Sequence, residues 1–148
     1  MNSNEDTKQS LKLFIVLSRA YKVLNEKVNE HIYKVGLNPT EFAVLELLFH
    51  KGPQPLQQIG NKILLASGSI TYVVDKLEKK NLLKRVACPN DRRVTFAEIS
   101  EEGRLFIERV FPEHEQNIHQ LMEALTSDEK EMAINTLKKL GLSIKDLS

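Results

Sequence analysis

The chain has 148 residues, of which 41% are hydrophobic and 28% are charged, and these values are typical of one soluble globular domain. No stretch approaches the ~18 consecutive apolar residues of a membrane span. Residues 1–10 lack the apolar centre of a signal peptide, so we expect a cytoplasmic protein with no membrane partner. The single cysteine excludes an internal disulfide.

The net charge of +1 is unevenly distributed along the chain. Residues 56–95 contain eight Lys and Arg against three Asp and Glu, whereas residues 96–148 contain six against eleven. A basic middle beside an acidic end indicates a face that meets a polyanion, because phosphate contacts dominate affinity for DNA. Solvated helical surfaces are the alternative explanation of the same imbalance.

Two helices are predicted before the basic region. Apolar residues recur at spacings of three and four over residues 11–35, which predicts a long amphipathic helix that ends at Gly36. Asn38 is a good N-cap for the second helix, Pro39 suits its first position, and Glu41 can complete a capping box. The second helix stops at the residues around Gly52.

A short helix over residues 56–63 and a turn over residues 64–69 lead to a helix with one apolar stripe. The stripe consists of Ile70, Val73, Val74 and Leu77. Ser67 or Ser69 can cap this helix, and Asn81 is a plausible C-cap.

Two strands follow, over residues 82–86 and 94–99, separated by the turn residues 88–91. Arg92 and Arg93 lie just beyond that turn, so the predicted β-hairpin carries two adjacent guanidinium groups at its tip. The order of helix, strand, basic turn and strand describes a winged helix, a shape that fits DNA.

The C-terminal third predicts two more helices. Ser100 begins one that we expect to reach about residue 125 with a bend at Pro112. Thr126 and Glu129 form a capping box for the last helix, which we expect to end at Gly141. The long end helices carry more apolar surface than the middle can cover, so they predict a C2 dimer of interlocked termini.

Six segments, in this order and spacing, resemble the MarR family of transcriptional regulators. They are residues 37–45, 56–60, 73–78, 82–85, 91–93 and 99–103. The resemblance covers residues 10–142. The sequence is also similar to the branch of the family that responds to quinones and catechols. It implies a mainly α fold with a small β-hairpin wing, that is, a winged helix-turn-helix with N- and C-terminal dimerisation helices. We expect a single domain over residues 8–142, with a winged-helix core at 37–99 and dimerisation helices at 8–35 and 100–142.

The resemblance also implies that the helix over residues 67–80 enters the major groove and that the wing turn reaches the minor groove. The residues that we expect to bind DNA are Ser67, Ser69, Thr71, Tyr72, Lys76, Arg92 and Arg93. Asp91 is expected to brace the wing, by pairing with an arginine or by capping the turn. Lys79 and Lys80 should contact phosphates or solvent. Packing against the neighbouring helix is the alternative for Thr71, and solvation is the alternative for the arginines.

The implied function is that of a sequence-specific DNA-binding transcriptional regulator, a repressor that binds a palindromic operator as a homodimer. A small aromatic, phenolic or electrophilic effector would release it. The candidate effector pocket comprises Phe14, Ser18, Tyr21, Phe42, Phe49 and His50, although core packing explains most of these residues equally well. The alternatives are a protein-interaction winged helix without DNA binding, and a thiol-based redox sensor through Cys88 beside Lys84, Arg85 and Arg92.

Catalytic motifs are missing from the sequence, which contains no G-x-S-x-G, no H-E-x-x-H and no Walker loop, so we expect neither an enzyme nor a cofactor. The four histidines are His31, His50, His114 and His119. The last two are five residues apart and do not share a helix face, so all four are better explained as surface histidines than as metal ligands.

Overall fold

The computed structural model of the chain describes residues 2–63 and 70–147, with side chains up to Lys145. The elements within these residues are α1 (Ser3–Lys34), α2 (Pro39–Lys51), β1 (Gln54–Pro55), α3 (Leu56–Lys62), α4 (Ile70–Lys79), β2 (Leu83–Ala87), β3 (Thr95–Ile99), α5 (Glu101–Leu121) and α6 (Ser127–Leu147). The predicted fold class, mainly α with a small β wing, is confirmed. The chain divides into two compact units, residues 1–115 and 116–148.

Helix α1 begins at Ser3, eight residues before the predicted start. The side chain of Asn2 accepts a hydrogen bond from the Glu5 backbone N–H at 2.8 Å, and Glu5 and Asp6 lie in the first turn, where the positive end of the helix dipole favours acidic residues. Apolar periodicity could not locate this start, because the first turns are polar. The domain limits of 8–142 stay a prediction.

Helix α2 begins with the predicted capping box. The Asn38 side chain accepts from the Glu41 backbone N–H at 2.8 Å, and the Glu41 carboxylate accepts from the Asn38 backbone N–H at 2.9 Å. Pro39 occupies the first turn, where its missing N–H costs nothing. The helix ends at Gly52, whose φ of 79° favours glycine.

The sheet has three strands in the order β1-β3-β2, all antiparallel, rather than the two strands of the predicted hairpin. In the hairpin Leu83 pairs with Ile99 and Ala87 with Thr95. The additional strand β1 pairs Gln54 with Ala97 at the sheet edge. Two residues, one of them a proline, carry no alternation of apolar and polar side chains, so β1 gave no signal in the sequence.

The hydrophobic core of residues 1–115 joins α2, α3, α4 and the sheet. Its fully buried members include Leu45 and Leu48 of α2, Ile59 of α3, and Val74 and Leu77 of α4. The stripe predicted for residues 70–77 faces this core, so α4 has a fixed inner face and a defined outer face.

The C-terminal helices differ in length from the prediction. α5 ends at Leu121 rather than near residue 125, and α6 passes through Gly141 to Leu147. Thr126 and Glu129 form the predicted capping box, with bonds of 2.9 and 3.2 Å. The stop at Gly141 is wrong, because this glycine keeps an ordinary helical φ and a helix tolerates glycine at a modest cost. None of the described helices is long and apolar enough to cross a membrane.

Candidate nucleic-acid interface

The outer face of α4 presents polar and aromatic side chains, while its inner face packs in the core. Val73, Val74 and Leu77 are buried on the inner side, whereas Thr71 and Tyr72 are exposed. Tyr72 is 60% exposed, which is unusual for an aromatic residue so close to a core. The next two residues, Val73 and Val74, are buried and anchor this part of the helix in the core.

Lys76 lies one turn after Tyr72 and covers its ring. The Lys76 ammonium Nζ is 4.9 Å from the ring centroid, within the range of a cation–π interaction. This contact limits the rotamers of both long side chains. The outer face of α4 therefore offers an aromatic hydroxyl and a cation in a defined arrangement.

The wing tip is organised by Asp91. Its Oδ1 accepts hydrogen bonds from the Arg93 backbone N–H at 3.0 Å and from Arg93 Nε at 3.1 Å, while Oδ2 accepts from Nη2 at 3.3 Å. The hydrogen bond from the Arg93 side chain, followed by the one from its backbone, lowers the pKa of Asp91 below its usual value. The Arg93 side chain is nevertheless 90% exposed, so its guanidinium remains accessible.

Two backbone hydrogen bonds close the turn of the hairpin below this tip. Cys88 N–H donates to Val94 O at 3.0 Å, and Val94 N–H donates to Asp91 O at 3.0 Å, which closes the turn. Arg92 is exposed, and no hydrogen bond or ion pair involving it is found within residues 2–63 and 70–145. Both wing arginines therefore extend from a turn whose backbone is held by hydrogen bonds.

Arg85 of β2 connects the wing to α4, a role that sequence reasoning missed. Its Nη1 lies 2.7 Å from Glu78 Oε1, its Nη2 lies 2.5 Å from Asp75 Oδ1, and Nη2 also reaches Thr71 O at 3.4 Å. The hydrogen bond to Asp75 is the largest cause of a raised pKa for Arg85. The available signal was the pair of acidic residues at positions 75 and 78 of a helix predicted to contact DNA, because carboxylates there favour a compensating cation nearby.

Lys80 forms an ion pair within the chain. Its Nζ lies 2.9 Å from Glu41 Oε2 and 3.2 Å from Gly36 O. The sequence did not indicate this partner: the nearly buried carboxylate of Glu41 on α2 binds the ammonium group of Lys80, whose side chain is still 41% exposed.

A cleft of about 280 Å³ brings part of the predicted site together. Gln57 of α3, Thr71 of α4 and Arg93 of the wing all line it. Thr71 is exposed, and the alternative that it packs against the neighbouring helix stays a prediction. Ser67 and Ser69 lie outside the described residues.

The six candidate effector residues occupy different surroundings. Phe14, Ser18 and Tyr21 of α1 are exposed, Phe42 is buried in the core, Phe49 is partly buried, and His50 is exposed. Phe49 and His50 contact each other edge to face, with ring centroids 5.0 Å apart. Among the described residues, none of the ring contacts of Phe42, Phe49 and His50 involves the α1 candidate Phe14 or Tyr21.

His114 contradicts the expectation of surface histidines. It is buried, with its ring centroid 4.7 Å from that of Phe42, 5.8 Å from that of Phe111 and 6.3 Å from that of His31. Burial lowers the pKa of His114 and His31 lowers it further, while Glu46 and Glu115 act in the opposite direction. Buried His114 Nδ1 and His31 Nε2 have no hydrogen-bond partner. The five-residue spacing of His114 and His119 excluded a histidine pair on one face of α5. It could not reveal the proximity of His114 to His31, because the two residues lie on different helices.

Cys88 is partly buried at the base of the wing. Of the three cations expected to activate its thiol, Arg85 is directed at Asp75 and Glu78, and Lys84 lies 3.9 Å from Glu98.

Among the described residues, no group of three or more His, Cys, Asp or Glu side chains could hold a metal ion.

A helix with a polar outer face beside a basic-tipped hairpin, over a single core, defines a winged helix-turn-helix of the DNA-binding class. The model of the MarR family matches residues 37–95. The HTH-type transcriptional regulator MhqR of Bacillus subtilis (strain 168) is 63% identical over 139 residues, which are 94% of this chain and 96% of that protein. The chain belongs to the MarR family of transcriptional regulators, which are DNA-binding proteins and not enzymes.

Two solved structures share the fold. A mutant of MarR from E. coli, complexed with operator DNA, superposes with a TM-score of 0.79 and 22% identity over 89% of this chain and 95% of that one. BpsR of Bordetella bronchiseptica, whose structure concerns the regulation of DNA binding by 6-hydroxynicotinic acid, superposes with a TM-score of 0.77 and 23% identity over 88% and 98%.

Proposed function

We propose that the protein is a sequence-specific repressor that binds a palindromic operator as a homodimer. The observation that carries the proposal is that exposed Tyr72 and partly buried Lys76 lie on the outer face of α4, while exposed Arg92 and Arg93 lie at the wing tip. Tyr72, Thr71 and Lys76 would meet base edges and phosphates in the major groove. The arginines would enter the narrow minor groove, where the negative potential favours a weakly hydrated planar cation.

Exposed apolar residues on the end helices support the dimer. On α1, Phe14 is 69% exposed, and on α6, Met132 is 70% exposed. Further large apolar side chains are exposed on the same helices, namely Leu11, Ile15, Tyr21, Ile134, Leu137 and Leu140. A monomer rarely exposes so much apolar surface, and a second copy would cover it by a twofold axis. Two α4 helices would then reach successive major grooves, about 34 Å apart.

Footprinting at the promoter upstream of the protein's own gene, at several salt concentrations, tests the DNA-binding proposal. We expect two protected half-sites about ten base pairs apart, with affinity that falls steeply with salt. Equal affinity for operator and unrelated DNA would contradict sequence-specific repression, and no binding to either DNA would favour the alternative, a winged helix that binds proteins and not DNA.

Sedimentation at micromolar concentration tests the dimer. The wild type should sediment as a dimer, and the double substitution Leu137→Lys and Leu140→Lys should yield a folded monomer, because two charges would enter the apolar face of α6. Lys138→Gln and Lys139→Gln on the intervening positions provide the control. A monomeric wild type would contradict the dimer.

We propose in addition that a small aromatic, phenolic or electrophilic effector releases the repressor. The support is the aromatic group around Phe42, Phe49, His50 and Phe111 together with the effector of a protein of the same fold. Phe14, Ser18 and Tyr21 would complete this site from α1. Ligand and operator would favour different separations of the two α4 helices.

Isothermal titration with simple catechols and quinones tests the effector proposal. Heat of binding and loss of operator affinity are expected, and the absence of both would contradict it. A response that disappears in Cys88→Ser would instead support the thiol-sensor alternative.

A further inference from the structure

The C-terminal end of α4 is held by a buried carboxylate. Lys80 Nζ donates to Glu41 Oε2 at 2.9 Å and to Gly36 O at 3.2 Å. The side chain of Glu41 is 3% exposed and that of Lys80 is 41% exposed. These bonds join the end of α4 to the α1–α2 corner, which we define as residues 35–41.

The carboxylate of Glu41 is engaged on both oxygens. Oε1 accepts the Asn38 backbone N–H at 2.9 Å as part of the α2 capping box, so Oε2 is the oxygen left for Lys80. A buried carboxylate without a cation is strongly disfavoured. The position of Lys80 is therefore determined by Glu41 and by the start of α2.

The chain just after α4 is held from a second side. Asn81 adopts a left-handed φ of 64° and ends the helix, with its N–H bonded to Glu78 O at 2.9 Å. The Asn81 carbonyl accepts the Ser100 hydroxyl at 2.6 Å, and Ser100 Oγ accepts the Gly103 N–H at 2.9 Å. The end of α4 is thus fixed between the α1–α2 corner and the first turn of α5.

We propose that Lys80 is a positioning residue for DNA binding, which sets the placement of α4 through Glu41 and does not itself contact phosphate. The inference rests on the proposed function, in which Tyr72 and Lys76 on α4 meet the operator. α4 has ten residues, so a small shift at its end displaces both contact side chains. A lysine already bound to a buried carboxylate has less to gain from a phosphate than an unpaired one.

The test compares Lys80→Gln, Glu41→Gln and Lys79→Gln by operator affinity over a range of salt concentrations. Lys79→Gln removes the same charge one residue earlier, where the side chain is exposed. We expect Lys80→Gln and Glu41→Gln each to weaken binding by about tenfold, as for substitutions that act through a coupled contact. The dependence of affinity on salt should stay at the wild-type value, because no phosphate contact is lost.

Glu41→Gln provides the sharpest result, because removal of a negative charge would strengthen DNA binding if only long-range electrostatics mattered. Lys80→Arg, which keeps the charge, should restore most of the affinity. Thermal unfolding of each variant shows that affinity is compared between folded proteins. A salt dependence for Lys80→Gln that decreases by about 0.9 in log–log slope would mean a direct phosphate contact and would overturn the proposal. Unchanged affinity in both Lys80→Gln and Glu41→Gln would also overturn it.

Hydrogen exchange on the free proteins separates this inference from the proposed function. Amides of residues 73–81 should exchange faster in Lys80→Gln than in Lys79→Gln, and this result does not depend on whether the protein binds DNA. Wild-type protein without operator preference would refute the proposed function. Equal exchange in the two variants would refute the role of Lys80 in holding α4.

Discussion

Arg85 of β2 and Asp75 of α4 form an ion pair, with Arg85 Nη2 2.5 Å from Asp75 Oδ1. The same guanidinium reaches Glu78 through Nη1 at 2.7 Å. Helix α4 carries one of the proposed DNA-contacting surfaces, and strand β2 leads to the other, at the wing tip. Arg85 therefore links the helix and the wing directly. The pKa of Arg85 is raised, mainly through the hydrogen bond from its side chain to Asp75, so the guanidinium keeps its charge.

Arg85→Met should lower the free energy of unfolding by about 1 kcal/mol, a value suited to a partly exposed ion pair with two carboxylate partners. Urea unfolding measures this loss. Lys84→Met on the adjacent strand position is the control, because Lys84 lies 3.9 Å from Glu98 and both side chains are exposed. Equal losses in the two variants would show that the Arg85 pair has no special role.

The double substitution Arg92→Ala and Arg93→Ala should weaken operator binding by more than about 1 kcal/mol and reduce its salt dependence. The reason is the loss of two exposed guanidinium groups at the wing tip. Gel shifts at several salt concentrations measure both effects. Arg104→Ala removes an arginine engaged by Glu101 and Glu108 on α5 and should leave affinity unchanged. A double variant within about 1 kcal/mol of wild type would contradict the wing contact.

His114 predicts a dependence of stability on pH. Burial is the main cause of its lowered pKa, so the unfolded chain binds a proton more readily than the folded protein does. Its contribution to stability is therefore complete above the unfolded pKa of about 6.5 and is lost as the pH falls, by at most about 1.4 kcal/mol per pH unit.

His114→Phe should flatten the dependence of the free energy of unfolding on pH between about 7.5 and 5, because no proton can then bind at this position. His119→Phe is the control, since His119 is exposed on the same helix. Urea unfolding at each pH measures the slope. Identical slopes in wild type and His114→Phe would contradict the buried neutral imidazole.

Gly103 and Gly141 are both helical glycines with opposite surroundings. A Cβ at Gly103 would lie 2.0 Å from Leu82 O, a backbone atom, whereas nothing lies within 4 Å of a Cβ at Gly141. Gly103→Ala should therefore destabilise the protein by more than about 2 kcal/mol through overpacking. Gly141→Ala should stabilise it by up to about 1 kcal/mol, as expected for a helix interior. Thermal unfolding measures both, and similar effects would contradict the close approach of α5 to Leu82.

Several elements could be predicted because their signals are local. The capping boxes of Asn38 with Glu41 and of Thr126 with Glu129 depend on residues three positions apart, and both are present. The stripe at Val73, Val74 and Leu77 follows helical periodicity and is buried. Where the local signal was weak, as at the polar start of α1 or at Gly141, the helix limits were wrong.

The long-range contacts could not be predicted in the same way. Lys80 and Glu41 are 39 positions apart, so no spacing rule links them, and the lysine appeared to be an ordinary surface cation. His114 is buried because α1, α2 and α5 supply its neighbours His31, Phe42 and Phe111. The two-residue strand β1 exists because β3 offers it an edge to pair with.

The sequence by itself determined the order of helices and strands, the apolar side of α4 and the arginine pair at the wing tip, because periodicity, caps and turn residues act over a few positions. Tertiary structure alone decided which cations pair with carboxylates of other elements. Packing places Glu41 beside Lys80, and Asp75 and Glu78 beside Arg85, whereas Arg92 and Arg93 stay exposed at the wing tip. Coulomb attraction acts through space, and only the folded chain sets those distances.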